Sequence, residues 1–384
     1  MHNNAMRITF ICGSLAPGKD GVGDYTRCLA AACVDAGHEV QLVSVCDRES
    51  EHSQSSGLHF ERCCGALTDT AEGVRVAERI QAWHPDWISL QFVPFAFHPK
   101  GLSRTLQPFV RKLSGIAPLH IMFHELWLGE KPSLSLKHKV LGRIQRHQTL
   151  KALRDWQPQS IHTSNQLYVD VLKRNRITAK RLPLFGNIPI AEKDPATIQQ
   201  ILPWYPALPN ERIVLFPFSQ SASWQATHVM EQLKRLTSEA GVSLRLIQVG
   251  KNQSGDIHWP GIRELAQVNG WSCDVLGSQS EQVISQLMQI ADLGISSAHI
   301  QLAAKSGAVI GMIEHGLPVF CTSQASESRH PVSHQTEALL GDFEQSQSTL
   351  VSLLKEPKAH KAQSRLPTVA AQWLKDLEDA RKHG

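Results

Sequence analysis

Three stretches of the chain carry residue types suited to holding a phosphate or a sugar. After the apolar run 8–12 comes Gly13-Ser14-Leu15-Ala16-Pro17-Gly18-Lys19-Asp20, which approaches the phosphate-cradling pattern G-x-x-x-x-G-K-[ST]. The last position fails, because Asp20 would set a carboxylate against phosphate charge, and Pro17 removes a backbone donor. A dinucleotide reading fares slightly better, since Asp47 closes the second apolar run where a ribose-binding acid would sit. However, Gly21-Val22-Gly23-Asp24-Tyr25-Thr26 lacks the third glycine and begins far from the strand. What survives is a loop bearing Gly18, Gly21 and Gly23 that leads into a helix from about Asp24, whose positive end suits an anion. The same glycines serve a tight loop equally well.

The second stretch, Lys305-Ser306-Gly307-Ala308, is expected to open a helix. Its backbone N–H groups, the Ser306 hydroxyl and the Lys305 ammonium would converge on a diphosphate. A lysine is misplaced electrostatically at a positive helix end, which favours the functional reading over a solvated first-turn residue. Gly250-Lys251 and Gly277-Ser278-Gln279-Ser280 close two further strands, where glycine lets a ring or phosphate approach the backbone; the serines read more simply as helix caps. The third stretch is Phe123-His124-Glu125-Leu126-Trp127. His124 is expected to hydrogen-bond a ligand and Glu125 to orient it, against the plain reading that one of 19 histidines ends a strand.

These residues need a scaffold, and the hydrophobic pattern supplies one. Short β-branched runs at 8–12, 40–45, 87–92, 119–123, 160–163 and 181–184 alternate with amphipathic stretches, as βαβ units require. The pattern repeats with strands at 213–216, 244–249, 273–276, 293–296 and 319–321, and helices near 225–240, 260–269, 280–290 and 305–315. Two doubly wound α/β sheets follow. Pro189, Pro195, Pro203, Pro206 and Pro209 mark the connection, giving domains over 1–188 and 189–360, with a helix over 361–384 expected to pack back toward the first domain. Ligands of such sheets bind at the carboxyl ends of the strands, so a cleft between the domains is the expected site.

Composition agrees and excludes much else. At about 150 residues per domain, 384 residues are too many for a single small module. With 42% hydrophobic and 19% charged residues and a net charge of +4, the chain is neither a disordered tail nor a dedicated nucleic-acid binder. The eight cysteines form no C-x-x-C pair, so they read as reduced thiols and no metal site is expected. The run 8–12 is too short for a signal peptide or membrane span, which places the protein in the cytoplasm. From Leu136 to Trp156 a basic amphipathic stretch carries Lys137, Lys139, Arg143, Arg146, Lys151 and Arg154. It suits peripheral contact with an anionic inner membrane face, or a domain helix with its lysines in water.

Taken with Ala291-Asp292-Leu293-Gly294-Ile295-Ser296-Ser297 and Glu314-His315-Gly316-Leu317-Pro318-Val319, the second-half loops resemble family-four retaining glycosyltransferases of the B fold. Gly21-Val22-Gly23, Gly37-His38-Glu39-Val40 and Leu90-Gln91-Phe92-Val93-Pro94 extend the resemblance over about residues 6–319. It implies two Rossmann-like domains facing across a cleft and metal-independent transfer of a sugar from a UDP- or GDP-linked donor with retention of configuration. The acceptor would be a glycan, a lipid-linked carrier or a small molecule, in polysaccharide biosynthesis. By this resemblance Gly21 and Gly23 cover the donor's diphosphate and His124 is the cleft histidine. With the residues read above, His124, Lys305 and Glu125 are the expected catalytic groups; Gly21, Gly23, Ser219, Gln220, Gly250, Lys251, Gly277, Ser278, Gln279, Ser306, Gly307 and Glu314 are expected to hold the donor, and Asp24, Tyr25, Gln91 and Phe92 the acceptor.

The pattern departs from the family at two places. Its Glu-x7-Glu pair falls on Ala303 and Gly311, and its basic residues early in the second domain are replaced by Phe218-Ser219-Gln220-Ser221-Ala222-Ser223-Trp224. Lys305 would then neutralise the departing diphosphate alone, with Glu314, three residues beyond Gly311, as a candidate for the ribose. Competing readings are a non-hydrolysing sugar-nucleotide epimerase of the same fold, a non-catalytic nucleotide-sugar binder and, last, a dinucleotide oxidoreductase.

Overall fold

A computed structural model describes every residue except 1–4, 17–19, 48–50, 56–57, 68–69, 129–134, 218–223, 251–256, 324–337, 358–359 and 384. The chain forms two compact units. The first joins Met1–Pro183 to Leu366–Gly384, and the second comprises Leu184–Ala325 with His334–Arg365.

The first unit is built on β1 (Arg7–Cys12), β2 (Glu39–Ser44), β3 (Glu51–Ser55), β4 (Leu58–Arg62), β5 (Trp87–Phe92), β6 (Leu119–Phe123), β7 (Ser160–Thr163) and β8 (Lys180–Arg181). They lie in the order β3-β4-β2-β1-β5-β6-β7-β8. Every neighbouring pair is parallel except β3 and β4. The central strands are near-continuous apolar runs because helices cover both faces of a parallel sheet, and all six residues of β5 are buried. The C-terminal helix Leu366–His383 belongs to this unit. Its Trp373 stacks on Phe10 of β1 at 5.2 Å between ring centroids.

The second unit carries β9 (Glu211–Pro217), β10 (Ser243–Val249), β11 (Ser272–Val275), β12 (Leu293–His299), β13 (Val319–Ser323) and β14 (Leu340–Asp342). Their order is β11-β10-β9-β12-β13-β14 and every neighbouring pair is parallel. Phe216 packs edge-on against Trp259 at 5.5 Å, within a core that also takes Trp224, Leu233, Ile262, Phe343 and Leu350.

Several sequence expectations shift. The run 181–184 pairs only as the two-residue β8; Leu182 and Phe185 are fully buried, so hydrophobicity there fills a core without extending a sheet. The first helix starts at Gly21, not Asp24, because Asp20 is its N-cap and accepts from Val22 N at 3.0 Å. The apolar pattern leaves out β3, β4 and β14: β3 and β14 are short edge strands, and β4, between β3 and β2, is a five-residue strand interrupted by His59, Glu61 and Arg62. β12 runs past Ser296 to His299 and is followed by a 3-10 turn, Ile300–Lys305, before the helix Gly307–Glu314. Among the described residues no helix is long and apolar enough to cross a membrane.

Candidate functional site

In the first unit the expected residues gather at the carboxyl ends of β1, β5 and β6. His124 follows β6 and is 8% exposed. Its backbone N–H donates to Phe92 O at 3.1 Å, and its Nε2 lies 2.9 Å from Gln91 Oε1. The Tyr25 ring stands nearly perpendicular to the imidazole at 4.8 Å between centroids. Burial pushes the His124 pKa down to about 3, so the ring is a neutral hydrogen-bonding group and not a cation. Glu125, next in the chain, is half-buried.

Other first-unit residues are occupied by packing. A Cβ on Gly23 would overlap the Ser14 carbonyl oxygen, whereas Gly21 faces open space; Gly23 therefore lets the first helix lie against the β1 loop. Asp24 pairs with Arg27 within that helix. Phe92 is buried with its ring edge-on to Phe123 at 5.2 Å, which makes it core beneath the rim. Asp47, the residue that favoured a dinucleotide, accepts from Leu15 N at 3.0 Å and from Ser14 Oγ at 2.5 Å. Ser44 and Arg62 also bond to it. These donors hold its carboxyl below the usual carboxylate range, against the opposing pull of burial. Its oxygens pin the chain's own loop and are taken before any ribose arrives.

The second unit's rim is made of turns. Gly250 and Gly277 both have positive φ, 98° and 64°, a region that favours glycine. Gly250 N donates to Gly277 O at 2.6 Å, tying the ends of β10 and β11 together. Gln279 donates to Leu276 O at 2.8 Å, and Ser280 caps the helix Glu281–Ile290. Ser278 lies between Gly277 and Gln279. Ser306 is the N-cap of Gly307–Glu314, accepting from Val309 N at 3.4 Å. Lys305 therefore precedes the cap, as the last residue of the 3-10 turn, and is not a first-turn residue. Ser219, Gln220 and Lys251 lie outside the described residues.

Glu314 is neither an exposed helix acid nor available to a ribose. It is 2% exposed, and its Oε1 accepts from Arg365 N at 3.0 Å while the Gly186 amide also bonds to the carboxylate. Its carbonyl oxygen takes Gln363 N at 2.7 Å. The carboxylate fastens backbone from near both ends of the second unit's chain, and desolvation raises its pKa. A side chain on Gly186 would come within 2.9 Å of both Glu314 Oε2 and Gly311 Cα. Ala303 is fully buried. The positions of the missing glutamate pair thus serve packing.

The sequence did not single out a cavity of about 540 Å³ in the second unit, lined by Trp224, His228, Glu231, Ile257, His258 and Ile262 among others. It opens where the helices Ala226–Ala240 and Trp259–Val268 begin, after β9 and β10. Trp224 meets His258 edge-on at 5.4 Å and donates Nε1–H to Thr322 Oγ1 at 2.8 Å. Its signal in the sequence was only Trp and His placed after two strand ends. Among the described residues no group of three or more His, Cys, Asp or Glu is placed to hold a metal.

No protein-family model matches the sequence, and no curated protein matches it. Solved structures do match over the full length. HepE from Anabaena, in complex with UDP and glucose, is 16% identical, with 97% of this chain and 100% of that one covered and a TM-score of 0.54. Sucrose-phosphate synthase from Thermosynechococcus elongatus is 14% identical, covers 98% of each chain and gives 0.56. A glycosyltransferase from Rickettsia africae is 13% identical, covers 100% of each and gives 0.58. Likeness at this identity establishes architecture: the chain has the α/β glycosyltransferase B fold, with two doubly wound Rossmann-like domains.

Proposed function

We propose that this chain is a glycosyltransferase that moves a sugar from a nucleoside-diphosphate donor to an acceptor hydroxyl, with retention of configuration and without a metal. The observation that carries the reading is the full-length match to glycosyltransferase structures, one of which holds UDP and glucose. The donor's diphosphate would bind in the second unit, at Lys305, Ser306 and the Gly250 and Gly277 turns. Lys305 would stabilise the charge that grows on the departing phosphate. The acceptor hydroxyl bonds to the anomeric carbon as the carbon–phosphate-oxygen bond breaks, and its proton passes to the leaving phosphate on the same face. His124, neutral and fixed by Gln91, would hydrogen-bond the sugar or pyrophosphate, with Glu125 orienting it. The acceptor is proposed to be a lipid-linked or glycan hydroxyl reached at an anionic membrane surface.

Membrane contact has structural support in the helix Leu136–Trp156. Its buried face consists of Gly142, Gln145, Thr149, Ala152, Leu153 and Trp156, largely small or polar. Leu136, Val140 and Ile144, spaced four apart on one stripe, are 77%, 47% and 44% exposed, with Lys137 and Arg143 exposed beside them. A second reading, a nucleotide-sugar binder without turnover, is favoured by one observation: Ala303 and Gly311 carry no carboxylate and Glu314 is turned to backbone.

Calorimetry with UDP, GDP, ADP, TDP and NAD, with and without magnesium, tests the reading. One nucleoside diphosphate binding without metal supports it, since selective binding stabilises the native state. NAD binding alone overturns it. Binding without turnover of the matching nucleotide sugar over an acceptor panel selects the second reading.

A further inference from the structure

The large apolar side chains exposed among the described residues are not spread evenly. Phe95, Leu136, Val140 and Ile144 lie on one edge of the first unit. Phe95, 42% exposed, belongs to the short helix Pro94–Phe97, which begins just after β5 ends. The other three form the outward stripe of the helix Leu136–Trp156. This helix has 21 residues, about 31 Å at about 1.5 Å per residue, whereas β7, which follows it, has four, about 13 Å. Only a short turn separates Trp156 from β7, so the helix ends near the amino ends of the strands and its first turns pass their carboxyl ends. The contacts agree. The rim loop after β6 meets the helix at its middle, where Gln145 Oε1 accepts from Leu128 N at 2.9 Å and a Cβ on Gly142 would overlap Leu128 O. Leu136 and Val140 therefore stand beyond the rim that holds His124. Phe95 is on the same side of that rim: a Cβ on Gly101 would lie 2.6 Å from Gln145 Nε2 and 3.0 Å from Pro94 Cβ, which sets the start of the short helix against the same turn.

Behind this apolar edge the surface is basic. From Lys100 to Arg181 the sequence has 16 Lys and Arg against four Asp and Glu, and the rest of the chain has 23 against 31. β5 to β8 are consecutive parallel neighbours, so the helices Leu106–Ser114, Leu136–Trp156 and Gln166–Arg174 that join them share one face of the sheet. Arg111, Lys112, Arg143, Lys151, Arg154 and Lys173 are exposed on them. An apolar edge backed by cations matches an anionic bilayer, whose head groups meet the cations while the apolar side chains sit just beneath. A second copy of this chain fits less well, because a two-fold contact would set the basic face against itself.

We propose that Phe95 is a membrane-inserting residue and that the first unit meets an anionic bilayer rim-first, through Phe95, Leu136 and Val140 together. The inference rests on the membrane contact proposed above and adds an orientation to it. A helix lying flat on the surface would bury the stripe and leave Phe95 in water. Rim-first contact instead puts lipid head groups at the end of the strands where His124 and Glu125 lie.

Sedimentation with vesicles of phosphatidylglycerol and phosphatidylcholine tests this with three single variants. Phe95→Ser is expected to lower the partition coefficient about tenfold, the scale of withdrawing a phenyl ring from an apolar phase. Val268→Ser, which removes an apolar residue 72% exposed on the second unit, leaves it unchanged. Phe95→Trp keeps wild-type partition, and acyl chains carrying bromine quench its fluorescence by more than they quench the nine tryptophans of the wild type. That arm does not depend on how well Phe95→Ser folds. Equal partition of Phe95→Ser and wild type, or no added quenching in Phe95→Trp, overturns the proposal. So does an equal loss in Val268→Ser, which would mean contact without orientation. No partition of the wild type onto these vesicles removes the membrane contact itself, whereas partition insensitive to Phe95 removes only the rim-first orientation. UDP binding is read separately, so neither result bears on the glycosyltransferase reading.

Discussion

The two sheet rims treat polarity in opposite ways. In the first unit, polar side chains enter the sheet itself: Gln91, Ser89, His120 and His162 replace apolar residues on consecutive strands and satisfy one another from His124 to Asp376. In the second unit the buried strand positions are largely apolar, with Gln248 of β10 donating to Gly250 O at 2.8 Å, and the rim's polarity is handled by turns and caps: positive-φ Gly250 and Gly277, Ser280 and Ser306. A buried helix acid there, Glu314, faces backbone amides. A buried side-chain network imposes one arrangement because an unpaired member is costly. A rim of backbone turns offers donors that cost little to hydrate when no ligand is present. The first design suits a fixed group such as His124; the second suits an anion that comes and goes.

Removing one carboxylate should break this contrast most visibly. Glu314→Ala leaves the amides of Gly186 and Arg365 without their acceptor, and each buried unpaired group costs roughly 1–3 kcal/mol. The expected loss is about 3 kcal/mol or more, seen as a lowered denaturant midpoint, with Glu314→Gln intermediate because an amide oxygen can still serve one partner. A loss below about 0.5 kcal/mol, the scale of an ordinary surface substitution, would show that the clamp is not structural. Next in size is Gly23→Ala, whose Cβ meets a backbone carbonyl that cannot rotate away. Overpacking of that kind costs about 1–3 kcal/mol, whereas Gly21→Ala, in open space, should be near neutral.

Lys305→Ala tests the second rim without touching its fold. A charge-assisted contact to phosphate is worth about 1.5–3 kcal/mol, so the affinity of the selected nucleoside diphosphate should fall at least tenfold with an unchanged melting temperature. Equal affinity would move the diphosphate elsewhere in the second unit, and the Trp224–His258 cavity would be the next place to probe.

Acidification tests the first rim. His124 has a folded pKa near 3 against about 6.5 unfolded, so below pH 6.5 the unfolded chain binds a proton that the folded chain refuses. The folded state is therefore destabilised progressively as pH falls from about 6.5 toward 3, by at most about 1.4 kcal/mol per pH unit for this group. Burial shifts His120, His38 and His315 in the same direction. His124→Asn should flatten the slope of stability against pH in this window; an unchanged slope would mean that His124 is hydrated and titrates normally.

Most strands of both sheets are legible in the sequence because apolar β-branched runs are long enough to dominate their neighbourhood, as in Trp87–Phe92; β3, β4 and β14 lack such runs. The sequence hides the residues that work beneath them. His120, His162 and Ser89 sit inside runs that read as core, and only the register of parallel neighbours brings them into line. Asp376 is more than 200 residues away from His162, a separation no local pattern can bridge. Glu314 was legible as a helix acid, but its burial depends on Gly186 and Arg365, which come from distant segments. His124 and Gln91 are legible as rim residues because both lie at a strand end, where chain order already indicates the rim. Lys305 reads as the first residue of its helix but lies two residues before the helix start at Gly307, because Ser306 between them is the cap.

The smallest expected effect on stability carries the sharpest statement about where the protein works. On the helix Leu136–Trp156 the usual amphipathic arrangement is inverted: Gln145 is turned inward, accepting from Leu128 N at 2.9 Å and donating to Lys100 O at 2.8 Å, while Leu136, Val140 and Ile144 face outward. The inward face is paid for by hydrogen bonds and by Gly142, where a side chain would overlap the Leu128 carbonyl oxygen. The outward apolar stripe is therefore separate from the face that packs on the first unit. Leu136→Ser, Val140→Ser and Ile144→Ser combined should leave stability within about 0.5 kcal/mol of the wild type, as surface changes do. If the helix is the proposed membrane contact, the same variant should lose sedimentation with phosphatidylglycerol vesicles, since both the apolar stripe and the flanking lysines and arginines would contribute to that binding. Charge alone would give binding that survives the serines and disappears in high salt. Retention of binding by the triple variant at high salt would exclude this helix as the contact, and a large loss of stability would show that the stripe is covered by the protein itself.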